Sequence, residues 1–176
     1  DKRILEQRYQ SMAKWIDFQA TTSNRLIRPE FGYGDWLNID DPTPRDLIGT
    51  AFWAYDANLM SQIATVLGKT EDADRYRHLS SKIKQAFVDR YLQGSGIPIA
   101  VAKPSEIRSL LERNDAVARG NLKAVDYGPI TSQVFNTDLF TPTQTAYVLA
   151  LHFDLLPDEL RPRAAAELVA DIERRD

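Results

Sequence analysis

An all-α fold built of helical hairpins, arranged as part of a toroid, is what this sequence predicts, and three observations predict it. Apolar residues recur at spacings of three and four along five separate stretches, the signature of helices with one buried stripe. Two of the links between those stretches, at Gly68 and at Leu156-Pro157-Asp158, are so short that the helices they join must fold back antiparallel. The two hairpins also resemble each other: each opens with Thr-Pro, continues as an aromatic-bearing helix and turns after a leucine, with Leu79 and Ile83 matching Leu168 and Ile172 at equal offsets. Recurring hairpins suit a solenoid or a closed toroid, and connections of unequal length favour the toroid, whose long loops can hang at one end as pocket walls.

Each element has its own grounds. Over residues 2–19, Leu5, Tyr9, Met12 and Ile16 form one stripe, predicting a first helix. Residues 20–42 are polar and punctuated by Pro29, Gly32, Gly34 and Pro42, so they read as a long irregular connection of the kind that usually carries function. Thr43 is the expected N-cap of the second helix, with Pro44 at its first position and Asp46 near its positive end. Ile48, Phe52, Tyr55, Leu59, Ile63 and Val66 are its expected buried stripe, while Ala51, Ala54 and Ala57 thin the neighbouring faces. Gly68 closes that helix and Thr70 is the expected cap of the next, whose stripe runs through Ala73, Tyr76, Leu79 or Ser80, Ile83 and Phe87. Residues 97–102 read as a buried loop, 104–113 as a short helix, and 114–139 as mostly irregular. Thr141 and Gln144 stand at capping-box spacing around Pro142, predicting a helix that buries Tyr147, Ala150, Leu151 and residues 153–155. Leu160, Ala165, Leu168, Val169 and Ile172 are the expected stripe of the last helix, with Pro162 tolerated in its first turn.

The chemistry concentrates at residues 31–37, FGYGDWL. Two glycines let the backbone turn sharply or approach a ligand, and they present Asp35 and Trp36 side by side. A carboxylate accepts hydrogen bonds from hydroxyls and an indole offers a flat face to ring C–H groups, so the pair suits a polyol or sugar. The competing reading is an ordinary turn at Gly34-Asp35 with Trp36 and Leu37 plugging the core. Trp15 and Trp53 are expected to be packing residues. His78 falls on a charged helix face, and His152 in an apolar helix reads as a core histidine, so the two make no metal site. Asp40-Asp41 imitates a catalytic pair but, beside Pro42, reads as a lead into a helix cap. The charges at residues 71–75 read as a solvated face.

Composition narrows the classes. The chain of 176 residues is 43% hydrophobic, enough to bury a sizeable core, and its formal charge of -3 comes from interspersed signs. No basic field exists to recruit nucleic acid or anionic lipid, so a neutral partner is expected, with no nucleic acid and no membrane. Cysteine is absent, which excludes disulfides, thiol nucleophiles and thiolate metal sites and is compatible with either the cytoplasm or secretion. No cofactor or metal is expected, since neither a phosphate-binding glycine loop nor a serine nucleophile elbow occurs. The sequence starts at Asp1 and stops at Asp176 amid helical patterns, so it reads as an excerpt that, alone, would aggregate or form a homo-oligomer through uncovered hairpin faces.

YQSMAKWI from Tyr9, FGYGDWL from Phe31, the run from Thr43 through LGK to residue 87, and TPTQTAYVLALHFDLLP from Thr141 together resemble the middle of the catalytic domain of bacterial α-L-rhamnosidases, glycoside hydrolase family 78. The resemblance is weakest over residues 94–138. It implies an (α/α)6 toroid that hydrolyses terminal α-L-rhamnosides with inversion, using an acid that protonates the leaving oxygen and a base that activates water on the opposite side. In the family the acid lies before this region and the base beyond it. No catalytic residue is therefore expected among these 176. Trp36 matches the tryptophan of the family's GDW motif, which the resemblance implies packs on rhamnose, and Asp35 is its neighbour. A rhamnose-containing glycoside and the remainder of the parent domain are the implied partners. The competing functions are a different (α/α)6 glycosidase and a non-catalytic hairpin scaffold that binds protein, the latter requiring Trp36 to be buried.

Overall fold

The computed structural model describes residues 1–36, 38, 41–92, 132 and 134–175. The expected loop at 97–102, the short helix at 104–113 and most of the irregular stretch 114–139 lie outside the described residues, as do Leu37 and Asp40. Five α-helices follow in order: α1 (Lys2–Thr21), α2 (Arg45–Val66), α3 (Thr70–Tyr91), α4 (Gln144–His152) and α5 (Arg161–Arg175), the last entered through a 3-10 turn at Asp158–Leu160.

The stripe of α1 is as expected: Tyr9 and Ile16 are buried, and Leu5 and Met12 half-buried. Asp56 on α2 fixes the helix in place, since one of its carboxylate oxygens accepts from Trp15 Nε1 at 3.0 Å and Gln19 Nε2 at 3.1 Å. Trp15, expected as a packing residue, packs at the edge of the stripe rather than in the core. It is half exposed and stacks on Phe18 with ring centroids 5.6 Å apart.

Helix α2 buries the alanine-bearing face, where another helix was expected to approach, more completely than the stripe of larger residues. The buried face carries Leu47, Thr50, Ala51, Trp53, Ala54, Ala57, Met60 and Ala64, whereas Phe52 and Val66 are exposed and Ile48, Tyr55, Leu59 and Ile63 half-buried. The helix is apolar nearly all round, so periodicity could not choose a face. The small residues chose it, because alanines let the α3 backbone approach and Trp53 fills the remaining space. Ser80 Oγ on α3 donates to the Ala54 carbonyl at 2.9 Å, a contact only such close packing allows. The α3 stripe is as read, with Ala73, Tyr76, Ile83 and Phe87 buried, joined by Tyr91. Among the charges at 71–75, Asp72 departs from a solvated face by accepting from Tyr9 Oη at 2.6 Å.

The turn between α2 and α3 is a complete Schellman motif. Gly68, at φ +72°, donates to Thr65, and Lys69 donates to Ala64 at 2.8 Å. A Cβ at Gly68 would meet nothing within 4 Å, so Gly68→Ala carries backbone strain alone. Urea unfolding should show a loss of about 1 kcal/mol for that substitution. The second hairpin ends α4 in the same geometry with Asp154 at φ +57° in the glycine's place, held by Lys84 at 3.2 Å and Arg161 at 2.8 Å.

Three expected caps move. Thr43 and Thr70 make no cap hydrogen bond; Pro44 and Lys69 occupy those positions without a side-chain partner. The α4 cap is Thr143 rather than Thr141, its hydroxyl accepting from the Ala146 amide at 3.1 Å, and Gln144 leaves the capping box to donate to Asp171. On α4, Tyr147, Ala150 and the following Leu155 are buried, but His152, expected in the core, is exposed beside the Tyr55 and Phe153 rings. On α5, Ala164 and Asp171 are the buried residues, while Ala165, Val169 and Ile172 face outward. The sequence match between Ile83 and Ile172 thus does not extend to burial.

Helices α2 and α4 lie side by side and parallel. Their starts meet at Thr43 and Thr143, whose hydroxyls are 2.7 Å apart, and further along Tyr55 of α2 stacks on Phe153 at 4.3 Å. This places the 22–42 connection and the two helix starts at one end of the structure, where the candidate site lies.

Candidate functional site

Helix α1 leaves into a tight two-residue turn, Asn24 and Ile27 exchanging backbone hydrogen bonds at 3.0 and 2.9 Å across Arg25 and Leu26. The Arg28 amide then donates to the buried Thr50 hydroxyl at 3.0 Å, tying the chain to α2 before it reaches Phe31. From there the backbone needs both glycines. Gly32 has φ +107° and Gly34 φ +66°, and at Gly34 a Cβ would come within 3.0 Å of the Arg45 side chain.

That path holds three aromatic rings in solvent: Phe31, Tyr33 and Trp36, with Trp36 79% exposed. Tyr33 and Trp36 stack with centroids 6.3 Å apart, so the indole presents one open face backed by a phenol ring. The core-plug reading of Trp36 is thereby excluded.

Asp35, beside it, is half-buried and anchored. Its Oδ2 accepts from Thr43 Oγ1 at 2.9 Å, while its carbonyl accepts from Asn38 Nδ2 at 2.6 Å. Asn38 Oδ1 in turn accepts from the Asp41 amide at 3.2 Å, closing the turn from 35 to 41 with one side chain. No hydrogen bond among the described residues reaches Asp35 Oδ1.

Asp41, expected only to lead into a helix cap, is held by an ion pair. It pairs with Arg175 of α5 at 2.9 Å, and Arg175 also pairs with the buried Asp171 at 2.7 Å. Burial pushes the Asp41 carboxyl above its ordinary range against the opposing pull of Arg175. Asp171 goes the other way: burial would raise it, but hydrogen bonds from Gln144, Arg174 and Arg175 together hold it below the ordinary 3.8. A depressed carboxyl contributes stability that is fully present above 3.8 and is lost as pH falls through the lower folded value. Denaturant titrations across the acid range should therefore show a shallower loss of stability in Asp171→Asn than in the unmodified protein.

Sequence reasoning found Asp35 and Trp36 and the glycines that present them. It missed Tyr33, Asn38, Thr43, Thr143, Asp41 and Arg175, which hold them. The repeated Thr-Pro openings were a signal for Thr43, though not for its partner, since that contact spans 100 residues. Among the described residues no group of His, Asp and Glu is placed to hold a metal ion, and no helix is long and apolar enough to cross a membrane.

Residues 1–176 match the family described as the bacterial alpha-L-rhamnosidase 6 hairpin glycosidase domain. Two relatives named alpha-L-rhamnosidase, from Streptomyces avermitilis and Formosa agariphila, are 34% and 30% identical over all of this chain, which spans 13% and 15% of their lengths. The crystal structure of the Streptomyces avermitilis alpha-L-rhamnosidase complexed with L-rhamnose superposes on the whole chain with a TM-score of 0.71 at 34% identity, covering 13% of that protein. A second solved structure, alpha-L-rhamnosidase from Dictyoglumus thermophilum, matches 98% of the chain in fold, with a TM-score of 0.68 at 24% identity.

Proposed function

Since this chain belongs to the bacterial α-L-rhamnosidase six-hairpin glycosidase family and its hairpins are part of an (α/α)6 toroid, we propose that it forms one wall of the sugar pocket of an inverting α-L-rhamnosidase. The observation that carries this reading is the exposed Trp36 face, backed by Tyr33 and flanked by Asp35, whose Oδ1 takes no hydrogen bond among the described residues. An indole held open to water at a loop fixed on both sides is costly to maintain for packing alone. It suits a six-deoxy sugar, whose methyl and ring C–H groups would lie on the indole while one hydroxyl donates to Asp35.

The reaction needs two carboxyl groups about 6.5–9.5 Å apart, with room between them for water. Asp35 is tied to Thr43, and Asp41 and Asp171 are tied to Arg175, so none of the three fits the role of a free acid or base. In keeping with the family resemblance, which implies an acid before this region and a base beyond it, the catalytic pair is assigned to the rest of the parent domain. Residues 1–176 bind and orient the rhamnosyl group, and the other hairpins cleave its bond. The exposure of Trp36 counts against the scaffold reading, which requires that side chain in the core.

The test is to express the full-length protein that contains this chain and assay it on an aryl α-L-rhamnoside, following the anomer released by NMR. Release of β-L-rhamnose first supports the reading. Turnover of another glycoside with none of the rhamnoside would transfer the chain to a different glycosidase activity, and no turnover of either would favour a scaffold.

A further inference from the structure

Four polar atoms connect α4 to the sugar loop, and their chemistry fixes the direction of every hydrogen bond between them. The Ala146 amide can only donate, and does so to Thr143 Oγ1 at 3.1 Å. At the other end the Asp35 carboxylate can only accept, and takes the Thr43 hydroxyl proton on Oδ2 at 2.9 Å. The 2.7 Å contact between the two hydroxyls must then run from Thr143 to Thr43. Thr43 is 4% and Thr143 2% exposed, so water cannot replace either link.

We infer that Thr43 is a positioning residue for the sugar subsite: the one-way chain from Ala146 through Thr143 and Thr43 locks Asp35 with Oδ2 turned inward and Oδ1 toward the ligand beside Trp36. The inference rests on the reading of Asp35 and Trp36 as a rhamnose subsite. It also accounts for the Thr43 hydroxyl, which donates to Asp35 and meets Thr143 rather than capping α2. It also ranks the two threonines. Without Thr143 the Thr43 hydroxyl still reaches Asp35, whereas without Thr43 no hydrogen bond among the described residues reaches the Asp35 carboxylate. Loss of Thr143 should fall mainly on stability, because it caps α4.

The experiment uses the full-length protein and compares Thr43→Val, Thr43→Ser and Thr143→Val with Asp35→Ala and Trp36→Ala. Read-outs are KM and kcat on an aryl α-L-rhamnoside, the dissociation constant of L-rhamnose by calorimetry, and the thermal midpoint. The expected result is that Thr43→Val raises KM and the dissociation constant about tenfold, the usual effect of losing one hydrogen bond to a charged group, and that Thr43→Ser restores both. On an Asp35→Ala background, Thr43→Val should add nothing further. Thr143→Val should lower the midpoint with a smaller effect on affinity. Thr43→Ala answers the same question if the valine variant does not fold. Unchanged affinity in Thr43→Val, while Asp35→Ala and Trp36→Ala both bind weakly, would overturn the positioning role and leave the subsite intact. Unchanged affinity in all of these variants would overturn the subsite itself.

Discussion

Trp36→Ala is expected to lower kcat/KM of the full-length protein on an aryl α-L-rhamnoside by about 30- to 100-fold, with the thermal midpoint unmoved. The size follows from area: an indole covering roughly half its surface with sugar withdraws about 100 Å² from water, worth ~2–3 kcal/mol in binding and transition-state stabilisation together. The unmoved midpoint follows from position, since the side chain is 79% exposed in the free protein and its removal leaves no cavity. The two read-outs separate the possible roles. A ligand-stacking residue affects turnover and leaves stability alone, whereas a packing residue does the reverse. A drop of several degrees in the midpoint with kcat/KM unchanged would place Trp36 among the structural residues after all.

The second large effect is on stability. Arg90→Met should destabilise the fold by about 3–5 kcal/mol, the usual cost of stranding one member of a buried ion pair. Asp46 is 5% exposed, and its Oδ2 accepts from Arg90 Nη2 at 2.6 Å and Nε at 3.1 Å, two bonds from one guanidinium. Burial alone would lower the arginine's pKa, but Tyr91 and Asp46 beside it reverse that and hold the guanidinium above its ordinary value. The pair closes the open end of the α2–α3 hairpin directly beneath the sugar loop. Adding Asp46→Leu to Arg90→Met should recover much of the loss, because a pair of apolar residues carries no unpaired charge. Equilibrium urea unfolding of the single and double variants measures both, and a single variant within 1 kcal/mol of the unmodified protein would show that the pair is solvated in solution.

Helix existence was legible and helix orientation was not. The stripe of α3 could be read directly because charged residues mark its outer face, so Ala73, Tyr76, Ile83 and Phe87 had only one place to go. Helix α2 has few such marks, and there Phe52 and Tyr55 looked like core while Ala51, Ala54 and Ala57 looked like spacers. The alanines do admit α3 closely, and that face is therefore the more buried one, because a narrow interhelical gap excludes large side chains and rewards small ones. Capping failed for a related reason. Thr43 has the right hydroxyl at the right place for a cap, but a competing carboxylate eight residues earlier captured it. In the site, Asp35 and Trp36 were visible because two glycines at positive φ leave a local mark in the sequence. Their supports, Thr143 and Arg175, come from the far hairpin, and no local pattern reports a contact across such distance.

The loop at 35–41 precedes the first hairpin but leans on the second, through Thr143 at one end and Arg175 at the other. During synthesis α2 and α3 can pair as soon as they leave the ribosome. Asp35 has its partner Thr43 at once, but the hydroxyl that supports Thr43 in turn, that of Thr143, is encoded 100 residues later, an interval of about 5–20 s at ordinary elongation rates. Throughout that interval Phe31, Tyr33 and Trp36 sit on a loop that lacks its two contacts to the second hairpin. The sugar-binding wall thus reaches its final anchoring only once the second hairpin has been made, although its own residues precede the first hairpin.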